Sequence, residues 1–260
     1  MTSATKPVLL IRAYGNQDDA TALAAVGLAT VIDPYIRIDK STDATDAKLM
    51  LEALSKPGAK FLIATSVNAI KCFGELVGTE NLMHAIANAD DLRFAAVGAR
   101  TAEALRELGA TDVITPEVAD SAALADLLSD LPEEPNGLGD KPTAIIPSGL
   151  LAMKGLPNKL VAAGWNLIQG VVYTTVTVEN PPTSVAAARA GDFSAVIFRS
   201  PSAARAFLSF VPAPTMPLVA AGFTTAKVIE DAGLTVASIP SNPTPKSVAA
   251  AVKSLLKGDR

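Results

Sequence analysis

Residues 96–109 read AVGARTAEALRELG, and residues 220–233 read AAGFTTAKVIEDAG. Both run small-small-Gly-x-x-Thr-Ala, continue with a helical period and stop at a Gly. Each is preceded by a second shared phrase, TSVNAIKCF at 65–73 and RSPSAARAF at 199–207. Each is followed by a short branched run and a Pro, DVITP at 112–116 and TVASIP at 235–240. A phrase said twice predicts two similar domains, and two similar domains predict a cleft with matching walls.

Working outward, short apolar runs alternate with amphipathic segments along the whole chain. The spacing predicts strands at VLLI (8–11), TVID (30–33), FLIA (61–64), FAAV (94–97), DVIT (112–115), TAII (143–146) and NLIQGVVYT (166–174). Three more follow at AVIF (195–198), PLVA (217–220) and TVAS (235–238). Helices are expected near 17–26, 45–55, 67–77, 100–108, 121–129, 151–163, 184–190, 201–210, 225–232 and 246–256. The stretch 132–142, PEEPNGLGDKP, reads as a surface loop. Strands alternating with helices imply parallel sheets with right-handed crossovers.

Counting strands divides the chain. The stretch 61–170 holds about five, the number of a flavodoxin-like sheet. The stretch 195–238 holds three, and only residues 8–33 can supply the missing two. The expected architecture is therefore α/β, with two flavodoxin-like parallel-sheet domains. Residues 1–36 and 175–260 form a discontinuous domain, and residues 39–172 form an inserted one. The links fall near 34–40 and 171–178, where YIRID and VVYTTVTVE have extended, alternating character. They are expected to pair as a two-stranded antiparallel linker.

Composition narrows the function classes. The chain has 260 residues, 49% hydrophobic and 18% charged, which describes a packed protein rather than a disordered one. A net charge of −4, a pI near 5.1 and no Lys/Arg run argue against a nucleic-acid partner. One Cys makes no internal disulfide, so a reducing, cytoplasmic location is expected. MTSATKPVLLIR lacks a long apolar core, so no signal peptide is expected, and no apolar run reaches the ~18 residues of a membrane span.

The repeated phrases sit where chemistry is done in such folds. Ligands of parallel α/β sheets bind at the carboxyl ends of the strands. Thr65 and Ser66 end FLIA and start a helix; Ser200 does the same after AVIF. Gly98 and Gly222 end the next strands, with Thr101 and Thr225 at the following helix starts. Small residues let backbone N–H groups approach a ligand, and helix N-termini favour anions. Ser and Thr at helix starts are equally ordinary N-caps, and duplication alone would preserve caps. Neither GxxxxGK[ST] nor a GxGxxG after a strand is present, so nucleotide binding has no support. His84, the only His, reads as a surface helix residue, and Cys72 as a packing residue. A single His argues against Ser-His-Asp and Cys-His mechanisms. No clustered ligand spacing suggests a metal. Arg12 ends the first strand, where it either pairs with a surface carboxylate or serves the ligand. Tyr173, one of three tyrosines, lies in a predicted link; packing residue and proton donor are both open readings.

These phrases, in this order and spacing, resemble the uroporphyrinogen-III synthase family over nearly the whole chain. VLLIR with Arg12 looks like the family's opening strand. IATSVNAIKCF, AVGARTAEALRELG and GVVYTT are similar to its TSxxAV, VGxxTAxALxxxG and xVYxT phrases, and IFRSPSAARAF and AAGFTTAKVI to the second copies. The resemblance implies two α/β domains joined by a two-stranded ladder, with substrate in the cleft. It implies that hydroxymethylbilane, a linear tetrapyrrole with eight carboxylates, is cyclised to uroporphyrinogen III with inversion of the last pyrrole ring and loss of water. It implies no metal or organic cofactor. By family position Tyr173 is the catalytic candidate. Arg12, Thr65, Ser66, Gly98, Thr101, Ser200, Gly222, Thr224 and Thr225 are the substrate-binding candidates. A monomer is expected.

The chain departs from the family in two places. Arg199 stands where a Thr often precedes the second Ser-Pro. Pro147-Ser148-Gly149-Leu150 stands where an Arg-Gly pair is common, with Lys154 the candidate substitute. The competing readings are a non-catalytic bilobed ligand-binding or regulatory module and a periplasmic-type binding protein. The missing signal peptide disfavours the second, and the lack of a helix-turn-helix or basic patch disfavours a DNA-linked regulator.

Overall fold

The computed structural model describes residues 6–131 and 141–258. Most of the expected loop at 132–142, including GLGD at 137–140, lies outside the described residues, as does the start of the N-terminal segment. By backbone contacts the chain falls into two compact units, Met1–Arg37 with Thr175–Arg260, and Ile38–Thr174.

The first unit begins with β1 (Val8–Leu10), α1 (Asn16–Ala25) and β2 (Thr30–Ile32). After β3 (Ile36–Lys40) the chain builds the second unit. Its elements run α2 (Thr45–Leu54), β4 (Lys60–Ala64), α3 (Val67–Val77), α4 (Thr79–Ala87), β5 (Leu92–Ala96) and α5 (Ala99–Arg106). They continue with β6 (Val113–Ile114), α6 (Ser121–Ser129), β7 (Thr143–Gly149), α7 (Gly155–Ala162) and β8 (Asn166–Thr177). The chain then completes the first unit with α8 (Val185–Arg189), β9 (Ala195–Phe198), α9 (Pro201–Phe210), β10 (Leu218–Ala220), α10 (Phe223–Asp231) and α11 (Pro245–Lys257).

Two sheets result, with strand orders β10-β9-β1-β2 and β3-β8-β7-β4-β5-β6. Every pair from β8 through β6, and every pair of the first sheet, is parallel. The expected strand at 235–238 is reduced to one parallel bridge, Val219 to Ser238, beside β10. Placing the repeats on these orders gives a simple result. The repeat strands β9 and β10 correspond to β4 and β5, so β2-β1-β9-β10-Ser238 and β8-β7-β4-β5-β6 are the same spatial order. The chain enters that order at a different strand in each unit.

Strand alternation assigns the cores. In the second unit Leu62, Ala64, Phe94, Ala96 and Ile145 face α2, α3, α4 and α5, while Phe61, Ile63, Ala95, Ala144 and Ile146 face α6 and α7. In the first unit Leu9, Ile11, Val196 and Phe198 face α8, α9 and α10, while Val8, Leu10, Ala195 and Ile197 face α1 and α11. Each sheet is thus buried on both faces, which is why its strands read as continuous apolar runs. Tyr35 belongs to the core: it is fully buried against Phe207 and Phe210, its hydroxyl 2.9 Å from Ser184 Oγ. Burial pushes its pKa above the ordinary phenol value.

The helix α4 lies outside the expected helix spans, although it carries His84, which the sequence reads as a surface helix residue. Only Gly78, at φ +86°, separates it from α3, and a conformation that L side chains rarely adopt lets the chain turn there in one residue. Gly170 in β8 matters for another reason. A Cβ there would sit 2.7 Å from Asp46 Cβ and from Met50 Cε of α2, so α2 lies directly on the strand backbone. Asp46 also accepts a hydrogen bond from the Val171 N–H at 3.1 Å. Gly170→Ala is expected to lose about 1–3 kcal/mol, the range for overpacking a fitted contact; urea unfolding with an unchanged midpoint would show that α2 can retreat freely.

Candidate functional site

In a parallel sheet each crossover helix starts near the carboxyl end of the strand before it, so helix N-termini collect along that edge. The repeated phrases form such starts in matched geometry. Ser66 caps α3 at φ −155°, ψ 153°, and Ser200 caps α9 at φ −155°, ψ 154°. Each hydroxyl accepts the N–H three residues on, Ala69 at 3.0 Å and Ala203 at 3.2 Å. Gly98 and Gly222 precede α5 and α10, both fully extended at φ −168° and −171°. Neither glycine is required by its backbone angles. Around Gly222 an added Cβ would meet nothing within 4 Å, so the start of α10 is open. Thr101 and Thr225 lie one turn in and are buried, whereas Thr224 is exposed and Thr65 half-buried.

Tyr173 is held over this edge in the second unit. Between Ser148 and Gly149 of β7 the register with β8 shifts, so Ser148 faces Val171 but Gly149 faces Tyr173. A bulge of this kind bends a strand and re-aims a side chain. Here it lays the Tyr173 ring on Gly149, where any Cβ would come within 2.7 Å of the ring. The hydroxyl then reaches Ser66 Oγ at 3.2 Å. Three elements therefore converge on one phenol: the end of β7 beneath it, β8 carrying it and the N-terminus of α3 beside it.

The amide of the residue after Gly149 is also tied to this group, since Leu150 N–H donates to the Tyr173 carbonyl at 2.9 Å. Ser148 is not a ligand-facing hydroxyl: it is buried and donates to the Gly170 carbonyl at 3.1 Å, and its oxygen lies 3.2 Å from Gln169 Nε2. Lys154 is exposed at the start of α7. Sequence reasoning placed Tyr173 correctly in a strand but could not see the bulge or the glycine beneath it. The Gly149 signal is present in the sequence only as a glycine after a strand, which a turn would explain equally well.

In the first unit the phenol that follows β2, Tyr35, is turned into the core and bonds Ser184 rather than the cap Ser200. Arg199, in the position of Thr65, reaches Asp19 of α1 through two contacts, Nε to Oδ2 at 2.9 Å and Nη2 to Oδ1. Its Nη1 donates to the Pro243 carbonyl. Both side chains are buried, at 8% and 2% exposure. Arg199 is thus committed inside the protein, and its fork matches the carboxylate on both oxygens. Arg12, half-buried, has its backbone clamped by Asn16, which accepts the Arg12 N–H at 3.2 Å and donates to its carbonyl at 2.8 Å.

The other residues singled out in the sequence lie elsewhere. His84 is exposed on α4, its Nδ1 3.2 Å from the Asn88 amide nitrogen. Cys72 is buried on α3, and burial pushes its thiol pKa up, away from thiolate chemistry. Among the described residues no group of three His, Cys, Asp or Glu side chains is placed to hold a metal ion. No helix of the described residues is long and apolar enough to cross a membrane.

The family model described as uroporphyrinogen-III synthase HemD matches residues 17–250 of the chain. Among solved structures, a mutant uroporphyrinogen III synthase from the extremely thermophilic bacterium Thermus thermophilus aligns with a TM-score of 0.61 at 16% identity, over 98% of this chain and 100% of that one. Uroporphyrinogen-III synthetase from Helicobacter pylori aligns with a TM-score of 0.61 at 15% identity, over 95% and 97%. No curated protein matches the sequence. At these identities the structures speak for the α/β fold.

The buried pair makes a separable prediction. Arg199→Met leaves Asp19 buried without its partner and is expected to cost about 3–5 kcal/mol. Adding Asp19→Leu is expected to restore most of that loss, because the pair's desolvation is then removed along with its attraction. Urea midpoints of the three proteins decide it; a double variant no better than the single one would mean the pair is not a closed unit.

Proposed function

The chain belongs to the uroporphyrinogen-III synthase family, and from that membership we propose how its residues share the work. It is a cyclising lyase that closes hydroxymethylbilane to uroporphyrinogen III, inverting the last pyrrole ring and releasing water. Family membership carries the reaction. The contact between Tyr173 and Ser66 carries our reading of the chemistry.

Tyr173 is the proton donor to the leaving hydroxyl. The reading is supported by the direction in which hydrogen bonds can run. Either hydroxyl can donate in the Ser66–Tyr173 contact; in our reading Ser66 Oγ, which accepts the Ala69 N–H, donates its own O–H to Tyr173 Oη. The phenolic O–H then points to a ligand. Each bond in the run from Ala69 N–H to Ser66 to Tyr173 strengthens the next, and the run starts at the positive end of α3. Protonation lets the terminal hydroxyl leave as water. The electrophilic azafulvene left behind is attacked by the substituted carbon of the last ring, giving a spiro intermediate. Fragmentation and reclosure at the free carbon invert the ring, and the proton lost there balances the one given. The electronics belong to the pyrroles; the protein's larger task is to hold the chain so that the hindered carbon is the one that attacks.

The carboxylates are received at helix starts. Thr224 and the open backbone around Gly222 serve α10; Gly98 serves α5; Thr65 and the backbone N–H of Ser66 serve α3; Ser200 serves α9, with Arg12 following β1 in the same unit. Thr101 and Thr225, being buried, support their first turns from inside. Local amides and dipoles explain how a chain of net charge −4 binds a polyanion.

For the fold, we read each unit as flavodoxin-like. The order β2-β1-β9-β10-Ser238 is 2-1-3-4-5 in the first unit's own chain order, and the second unit repeats it from another starting strand. The domains are then residues 1–36 with 175–260, and 39–172. The antiparallel link is supported by two bonds whose residue numbers run oppositely, Ser41 N–H to Val172 O and Val178 N–H to Tyr35 O. We read the protein as a cytoplasmic monomer, in keeping with its lone, buried cysteine.

Supplied with freshly made hydroxymethylbilane, the protein is expected to yield isomer III after oxidation and separation; isomer I alone, the spontaneous product, would end the enzyme reading. Tyr173→Phe is expected to lower kcat by about 10²-fold with an unchanged melting curve, and full turnover would remove Tyr173 as donor. A fragment of residues 39–172 is expected to unfold cooperatively on its own, whereas residues 175–260 are not; a cooperative 175–260 fragment would refute the discontinuous domain.

A further inference from the structure

The most exposed of the large apolar side chains share one kind of position in the fold. The six most exposed among the described residues are Phe223, Val118, Leu151, Met153, Tyr14 and Leu150, at 62% to 81% exposure. All six lie in loops or first helical turns at the carboxyl ends of strands: after β1, β6, β7 and β10. The next, Leu49 on α2, is 53% exposed. Single exposed apolar residues are ordinary, but their gathering at the ligand-binding edge of parallel sheets is not.

Half of them stand on one short segment, Leu150, Leu151 and Met153 between β7 and α7. That segment is not loose. Leu150 N–H is bonded to the Tyr173 carbonyl, and Ala152 N–H to the Gly149 carbonyl at 2.9 Å. Its backbone is therefore fixed to the residue that carries the phenol and to the glycine on which the phenol lies. A backbone held to Tyr173 and Gly149 that presents three exposed apolar side chains is a surface for an amphipathic ligand.

We propose that Leu150, Leu151 and Met153 form a ledge on which a pyrrole ring of the bound tetrapyrrole rests, a specificity element for the orientation of that ring at Tyr173. The inference rests on the family reading for the identity of the ligand. The chemistry of the substrate fits the division on the protein. Its carboxylates need N–H and O–H donors, which the helix starts offer. Its ring faces need apolar area, which the ledge supplies in the second unit as Phe223 does at the start of α10 in the first. Methionine and leucine side chains follow a flat ring without fixing one contact. A ring rested there loses rotational freedom before chemistry, which is what choosing one of two attacking carbons requires.

The test is Leu150→Ser, Leu151→Ser and Met153→Ser combined, with Leu151→Ser alone and Leu150→Met with Leu151→Met as companions. The residues are exposed, so melting temperatures are expected to stay within a few degrees. The triple variant is expected to raise KM for hydroxymethylbilane about 10-fold or more and to raise the share of isomer I. The methionine variant is expected to keep both near the parent values. Calorimetric titration with uroporphyrinogen III, the product, is expected to show a similar weakening. Unchanged KM, isomer ratio and titration in the triple variant would overturn the ledge. So would sedimentation of the parent as a dimer that the triple variant dissociates, since the ledge would then be covered by a second copy. If the parent made only isomer I, the family reading would fall, and the titration would still judge the ledge by itself.

Discussion

A chain that crosses between parallel strands by way of a helix starts that helix where the previous strand ended. In this protein that constraint acts in both units, and it gathers the starts of α3, α5, α9 and α10 at the carboxyl edges of their sheets. The edge is consequently rich in donor N–H groups before any side chain is chosen. Serine caps at Ser66 and Ser200 and glycines at Gly98 and Gly222 follow as ways to end a strand and begin a helix in two residues. Their backbone angles agree within a few degrees between the units. What looks like a functional motif is first a solution to the crossover.

The two edges differ in the residues set beside these matched caps. At the place of Thr65 the first unit has Arg199, drawn inward onto Asp19 and closed off from any ligand. At the same edge the second unit has Gly149, a bulge in β8 and Tyr173 reaching Ser66. One edge is thus internally neutralised and the other carries a phenol wired to a helix start. The two edges are similar in their caps, and our proposal puts proton transfer at the one that holds the phenol.

The elements that were legible in the sequence are those decided locally. α3, α6 and α9 occupy the expected spans because Ser66, Asp120 and Ser200 each cap with a side-chain oxygen. The circular entry of the chain into a shared strand order was within reach because the repeated phrases mark β4 with β9 and β5 with β10. What stayed hidden depends on residues far apart in sequence. The span of α4 is hard to read because one glycine joins it to α3 without a loop. The strand at 235–238 thinned to a bridge, since an edge position needs little pairing. The sequence carries Tyr173 and Ser66 in plain view, but a sequence separation of 107 and the one-residue register shift decide whether they meet. Arg199 was visible as a departure; its partner Asp19 lies 180 residues away and carried no signal of its own.

The central claim is that Ser66 and Tyr173 act as one donor. A double-mutant cycle on kcat with Ser66→Ala and Tyr173→Phe, at a temperature where all four proteins are folded, tests it most directly. Strong coupling is expected: the double variant should be about as slow as Tyr173→Phe alone, because Ser66 has nothing left to act through. Losses that simply multiply would contradict the account and leave Ser66 as a helix cap and Tyr173 as an independent group.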